Sequence, residues 1–123
     1  EDILGASGAR HIGCNVNSTN LTVPVEASIP IGLVATELIS NALEHGFGGR
    51  PQGMIDINLS RNNSGAIVLT IADDGNGLPP DFDDTEDKSL GLSVVRNLTK
   101  QLGGHFEMAG GKGTTCRLVI PDV

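Results

Sequence analysis

A chain of 123 residues, 38% hydrophobic and 19% charged, is long enough for one globular domain with a core of its own. Its formal net charge of −7, with only 8 lysines and arginines, excludes a nucleic-acid surface, which needs a basic patch to neutralise phosphates. No apolar run approaches the ~18 residues of a membrane span and no signal-peptide pattern occurs, so the segment itself is expected to make no membrane contact.

A small anionic ligand stays possible, because helix N-termini, backbone amides and a bound metal hold phosphate without net positive charge. Cys14 and Cys116 lie far apart, lack metal-ligand spacing and sit in alternating strand patterns, so they read as free thiols in a reducing cytoplasm. The opening residue is Glu1 rather than methionine, which reads as a segment of something longer.

In chain order, residues 1–11 show no clear period and read as a linker or the end of a preceding helix. Ile12, Cys14 and Val16 then alternate with polar or small neighbours as a strand does. After a turn at 18–20, LTVPVE gives a short extended piece. A helix follows, with Ser28 as its N-cap and Pro30 in its first turn, where a missing N–H costs nothing. At 100° per residue Ile31, Ala35, Leu38, Ile39, Ala42 and Leu43 cover one side, and Glu37, Ser40, Asn41 and Glu44 the other, with His45 at the margin. Gly46 and FGGRPQG stop this helix.

Ile55, Ile57 and Leu59, then Ile67, Leu69 and Ile71, form two alternating strands joined by RNNSGA, an antiparallel hairpin. The second strand runs into DDGNGLPP and the acidic stretch DFDDTEDKS. SLGLSVVRNLTKQLGG is a second helix with Leu92, Val95, Leu98 and Leu102 as its apolar stripe and Gly103-Gly104 as its stop. HFEM and TCRLVI alternate as strands around AGGKGT. The order predicts an α+β fold: a two-layer α/β sandwich whose mixed, mostly antiparallel sheet carries its helices on one face.

Four local patterns carry chemistry, and each has an ordinary explanation. Glu37, Asn41, Glu44 and His45 lie along one helix line, which a solvated face would explain. Asparagine is nevertheless a poor mid-helix residue, and a carboxylate with an amide oxygen one turn away suits Mg²⁺ or its waters. Asp73 ends a strand with Gly75 and Gly77 beyond it. A turn explains the glycines, and a carboxylate there can also accept a hydrogen bond from an exocyclic amine such as that of adenine. Gly91 opens a helix whose free amides can meet phosphate oxygens. GGKGTT reads as a hairpin turn, which accounts for its glycines and leaves Thr114 and Thr115 over.

Taken in order, a helical E-x3-N-x3-H, a strand ending D-x-G-x-G, an L-G-L helix start and G-T-T between strands resemble the GHKL ATPase/kinase superfamily with its Bergerat nucleotide-binding fold. The resemblance runs from about Ile12 to Pro121, and residues 12–123 are expected to form the ATPase domain. NALEHGF and SLGLSVVRNLTKQLGG followed by GTT are similar to the catalytic domain of a sensor histidine kinase, in a subgroup near the HWE kinases, although the tryptophan motif of HWE proper is missing.

The resemblance implies two cofactors, ATP and Mg²⁺. By it, Asn41 ligates the Mg²⁺ and Glu37 lies beside the metal's waters or orients the attacking group, the catalytic role. Asp73 holds the adenine amine while Gly75 and Gly77 let the chain pass beneath the base. Residues 78–90 form a lid in which Lys88 meets phosphate, Gly91 and Leu92 present helix amides to the phosphates, His45 faces them, and Thr115 shares a water with the adenine. Related kinases often carry lysine at the position of Glu44, where a carboxylate would repel phosphate by about 1 kcal/mol if solvated.

The implied reaction is transfer of the γ-phosphate of ATP to a histidine on a separate phosphoacceptor domain of the same protein, with a response regulator downstream and a homodimeric parent that could itself be membrane-attached. Readings that keep the fold are an anti-sigma-factor-type serine kinase and an ATP-driven clamp of the gyrase or mismatch-repair type, the latter needing a longer lid. A degenerate GHKL interaction module is the non-enzymatic one.

Overall fold

The computed structural model describes residues 11–18, 21–48, 51–77 and 92–121, with His45 described in its backbone only. Among the described residues five strands form one sheet: β1 (His11–Ser18), β2 (Gln52–Arg61), β3 (Ile67–Asp73), β4 (His105–Ala109) and β5 (Thr114–Ile120). Their spatial order is β1-β2-β3-β5-β4. Only β1 and β2 pair in parallel, and the other three pairings are antiparallel. Parallel neighbours need a crossover, and helix α1 (Val25–Asn41) with the turn that extends it supplies one between β1 and β2. Helix α2 (Leu92–Gln101) precedes the β4–β5 hairpin. The sheet is mixed and mostly antiparallel, as the order of the elements predicts.

The core forms where α1 and α2 meet the sheet. Ala27, Ile31, Val34, Leu38 and Ala42 from the first helix and Val95 from the second pack on Ile55, Ile67, Leu69, Ile71, Cys116, Leu118 and Ile120. On β5 the buried residues alternate, and on β3 it is Ile67, Leu69 and Ile71, two apart, that join the core cluster, so one sheet face carries the core.

Helix α1 begins earlier than its sequence predicts. Its boundary residue is Pro24, at φ −56° and ψ 142°, and among the described residues no side chain caps it. The Pro24 carbonyl accepts from the amides of Ala27 (2.9 Å) and Ser28 (3.0 Å). Ser28 is therefore inside the first turn, where its hydroxyl donates back to the Val25 carbonyl at 2.9 Å instead of capping. Proline's fixed φ sets the boundary there, with no side-chain acceptor in place of serine's. Pro30 becomes an interior residue, beyond the four positions whose amides lack a helical partner.

The other punctuation matches the residues that predict it. Asn62 organises the β2–β3 turn, its side-chain oxygen accepting from the amides of Ser64 and Ala66, each at 3.0 Å, with Gly65 at φ 88°. Helix α2 ends in a Schellman pattern: Gly104 N–H donates to Thr99 (2.9 Å), Gly103 N–H to Lys100 (3.0 Å), and Gly103 sits at φ 66°.

A candidate nucleotide site at one end of the sheet

Helix α1 does not stop at Asn41. It continues as a π-helical turn over Ala42–Gly46, before Phe47 turns the chain away at φ −119° and ψ 25°. Such turns bond i to i+5, are rare, and often mark functional sites. The uniform 100° spacing that places His45 at the margin of the polar face holds only to Asn41, because the wider turn changes the angle for the residues after it. Phe47 anchors the exit: it is fully buried, and its ring occupies the space a side chain at Gly53 would need.

Glu37 and Asn41 lie one turn apart on α1 and are half-buried. Among the described residues neither makes a side-chain hydrogen bond, so a carboxylate and an amide oxygen are left available along one line. Glu44 is exposed and accepts from the Ser40 hydroxyl at 3.4 Å, so its carboxylate reaches back along the helix surface. The neighbour the sequence marks as repulsive is thereby turned toward the preceding turn.

Asp73 ends β3 with Ile55 beside it on β2 and Thr114 on β5. One carboxylate oxygen accepts from Gly75 N–H at 2.8 Å, which fixes the group's orientation and leaves the second oxygen for another donor. Backbone contacts crowd this end of the sheet. A Cβ on Gly75 would run into the Gly46 carbonyl, one on Gly77 would come within 2.9 Å of the Gly111 carbonyl oxygen, and one on Gly113 would collide with the Asp73 carbonyl. Only glycine allows these approaches. Asp74 binds the turn to β2, its amide donating to the Met54 carbonyl (3.2 Å) and its carboxylate accepting from Met54 N–H (2.8 Å).

The register corrects one predicted residue. Asp73 faces Thr114, whereas Thr115 pairs with Ala72. Opposed residues share a sheet face and successive residues alternate, so Thr115 points to the other, exposed side, while Thr114 is 9% exposed on the Asp73 side. Thr114, rather than Thr115, is the hydroxyl that shares the Asp73 face. Gly113, explained in the sequence by its hairpin alone, is also required by its contact with the Asp73 backbone; the shared D-x-G and G-T ends of neighbouring strands were its only sequence signal. Cys116, two residues further along the same face, is buried. Burial and then the charge of Asp73 push its thiol up to about 12, so it stays protonated.

Leu92 begins α2 with its side chain 5% exposed in the core, so its backbone amide is what it can offer a ligand. Lys88, Gly91 and the expected lid at 78–90 lie outside the described residues, as does the side chain of His45. The donor set fits Mg²⁺. Among the described residues no three histidine, cysteine, aspartate or glutamate side chains form a metal cage. The oxygens of Glu37 and Asn41 instead offer the one or two hard ligands Mg²⁺ takes when phosphates and waters complete its shell.

Comparison with known proteins bears on the family and the fold. The family model described as histidine kinase-, DNA gyrase B- and HSP90-like ATPase matches residues 26–123. A blue-light-activated histidine kinase 2 of Erythrobacter litoralis is 36% identical over 115 residues, 93% of this chain and 33% of its own length. A sensor histidine kinase, PdtaS, of Mycolicibacterium smegmatis is 36% identical over 94 residues, 72% of this chain and 19% of its own. Among solved structures, a blue-light-activated histidine kinase of E. litoralis superposes with a TM-score of 0.85 at 33% identity, covering 96% of this chain and 38% of that one. The chain thus spans a third or less of the curated relatives named here.

Proposed function

The chain belongs to the histidine kinase-, DNA gyrase B- and HSP90-like ATPase family, and from that premise we propose that residues 12–123 bind MgATP and act as the catalytic domain of a two-component sensor histidine kinase. The observation that carries this reading is the Asp73 carboxylate, held by Gly75 N–H at 2.8 Å beside buried Thr114. A fixed acceptor next to a hydroxyl, above a glycine-lined backbone, suits an adenine amine and the ring nitrogens beside it.

The phosphates extend toward α1. Asn41 supplies the metal ligand, and Mg²⁺ when bound neutralises charge on the transferring phosphoryl group. Glu37 orients a metal-bound water or the incoming nucleophile, as its place one turn before Asn41 allows. The Leu92 amide serves the phosphates, and Lys88, Gly91 and His45 are assigned to them by the family pattern. The chain's contribution is positioning and charge neutralisation, which is where catalysis of phosphoryl transfer resides. The acceptor is a histidine on a phosphoacceptor domain of the parent, a homodimer in the cytoplasm that passes the phosphoryl group to a response regulator.

The test incubates the parent polypeptide with γ-labelled ATP and Mg²⁺ and examines the stability of the label. Acid-labile, base-stable label on a histidine outside residues 12–123 is the expected result. Acid-stable label on a serine of a partner protein would favour the serine-kinase reading. No label, with no ATP bound by the folded protein, would favour a degenerate interaction module.

A further inference from the structure

Two halves of the site come from distant parts of the chain: the turn after β3 with Asp73 and Gly75, and the helix that carries Glu37 and Asn41. They meet where the π-helical turn ends. Asn76 joins them at two points, its backbone N–H donating to the Gly46 carbonyl at 2.6 Å and its side-chain amide to the Gly48 carbonyl at 2.8 Å. Both carbonyls belong to the exit of α1, beyond the last residue whose backbone the helix itself can hold. A π-helical turn is a rare arrangement that persists only where its surroundings hold it, and this one directly follows Asn41.

We propose that Asn76 is a positioning residue that couples base binding to the metal side of the site, by holding the exit of the π-helical turn in register with the Asp73 turn. The proposal rests on the nucleotide-binding reading above. The base half does not depend on this side chain: the Asp73–Gly75 bond closes within the turn itself, and Asp74 ties that turn to Met54 independently. The metal half does depend on it, because the side-chain bond to Gly48 fixes the segment through which Asn41 and the π turn are oriented. Substituting Asn76 should therefore weaken the part of nucleotide affinity that Mg²⁺ supplies and leave the part that the base supplies. A merely structural role would move both together.

Asn76→Ala and Asn76→Leu remove the donor without adding charge, the second keeping most of the volume, and neither alters the backbone bond to Gly46. Binding of adenosine, and of a non-hydrolysable ATP analogue in EDTA and in Mg²⁺, is measured by calorimetry for both variants and the unaltered chain, with the thermal midpoint of each recorded. The expected result is an EDTA-to-Mg²⁺ ratio of dissociation constants lowered by about three- to tenfold, the worth of one hydrogen bond, with adenosine bound as tightly as before. An unchanged ratio, or equal weakening of adenosine and the Mg²⁺ complex, overturns the proposal. Failure of the unaltered chain to bind any of the three would instead sink the nucleotide reading itself.

Discussion

Phe47→Ala lowers the unfolding free energy by about 3–5 kcal/mol, a large part of the roughly 5–15 kcal/mol that holds a domain of this size together. Phe47 is completely buried, and its ring lies directly over Gly53, so truncation leaves a hole bounded by strand β2 on one side. A backbone strand in the middle of a ladder cannot move in to fill it, which puts the cost toward the upper end. The loss shows as a thermal midpoint lower by roughly 10–30 °C. Because Phe47 follows the π-helical turn immediately, the variant also frees the exit of α1, and what nucleotide binding survives at low temperature should be weaker. A midpoint within a few degrees of the unaltered chain would mean that the ring is not the anchor of that exit.

Gly113→Ala is expected to do the second greatest damage, and it does so at the site. A Cβ there would lie 3.0 Å from the carbonyl carbon of Asp73 and 3.1 Å from the Asp74 Cα, and nearer still to the Asp73 carbonyl oxygen. None of these is the end of a flexible side chain, so β3 and β5 must separate where Asp73 faces Thr114. The backbone at φ 150° adds strain for any residue other than glycine. Overpacking of this kind costs about 1–3 kcal/mol, and the displaced carboxylate lowers affinity for adenine nucleotides by at least about tenfold. Gly111→Ala, in the same turn, is the control: a Cβ there meets nothing within 4 Å. Equal effects of the two would show that the close approach is immaterial.

Much of this was legible in the sequence. Alternation at Ile55, Ile57 and Leu59 and at Ile67, Leu69 and Ile71 gave both strands of a hairpin that Asn62 and Gly65 close. Gly103-Gly104 marked the end of α2 because a positive φ was needed there. Asp73 and Gly75 were readable as a turn with a spare carboxylate because their interaction is local. What escaped was long-range. Whether Thr114 or Thr115 faces Asp73 depends on strand register, which a one-residue slip reverses. Gly113 looked like an ordinary turn residue because the backbone it abuts lies some forty positions away. The π-helical turn has no periodic signature over five residues, and Asn76 reads as turn composition until its carbonyl partners are in place. Serine's ordinary preference for the N-cap pointed to Ser28, but Pro24 set the boundary first.

The central claim is that the Asp73 carboxylate holds an adenine base while Asn41, across the site, serves the metal and phosphates. The most direct test is calorimetric titration of the purified chain with ATP, with and without Mg²⁺, beside Asp73→Asn. The substitution keeps the size of the side chain and places an NH₂ where an acceptor is needed, so a charge-assisted hydrogen bond worth about 1.5–3 kcal/mol is lost. Saturable binding by the unaltered chain, tightened by Mg²⁺, is expected, with affinity lowered by about ten- to a hundredfold in a variant that remains folded. Equal affinity in the two proteins, or no binding at millimolar ATP by a folded chain, would contradict it.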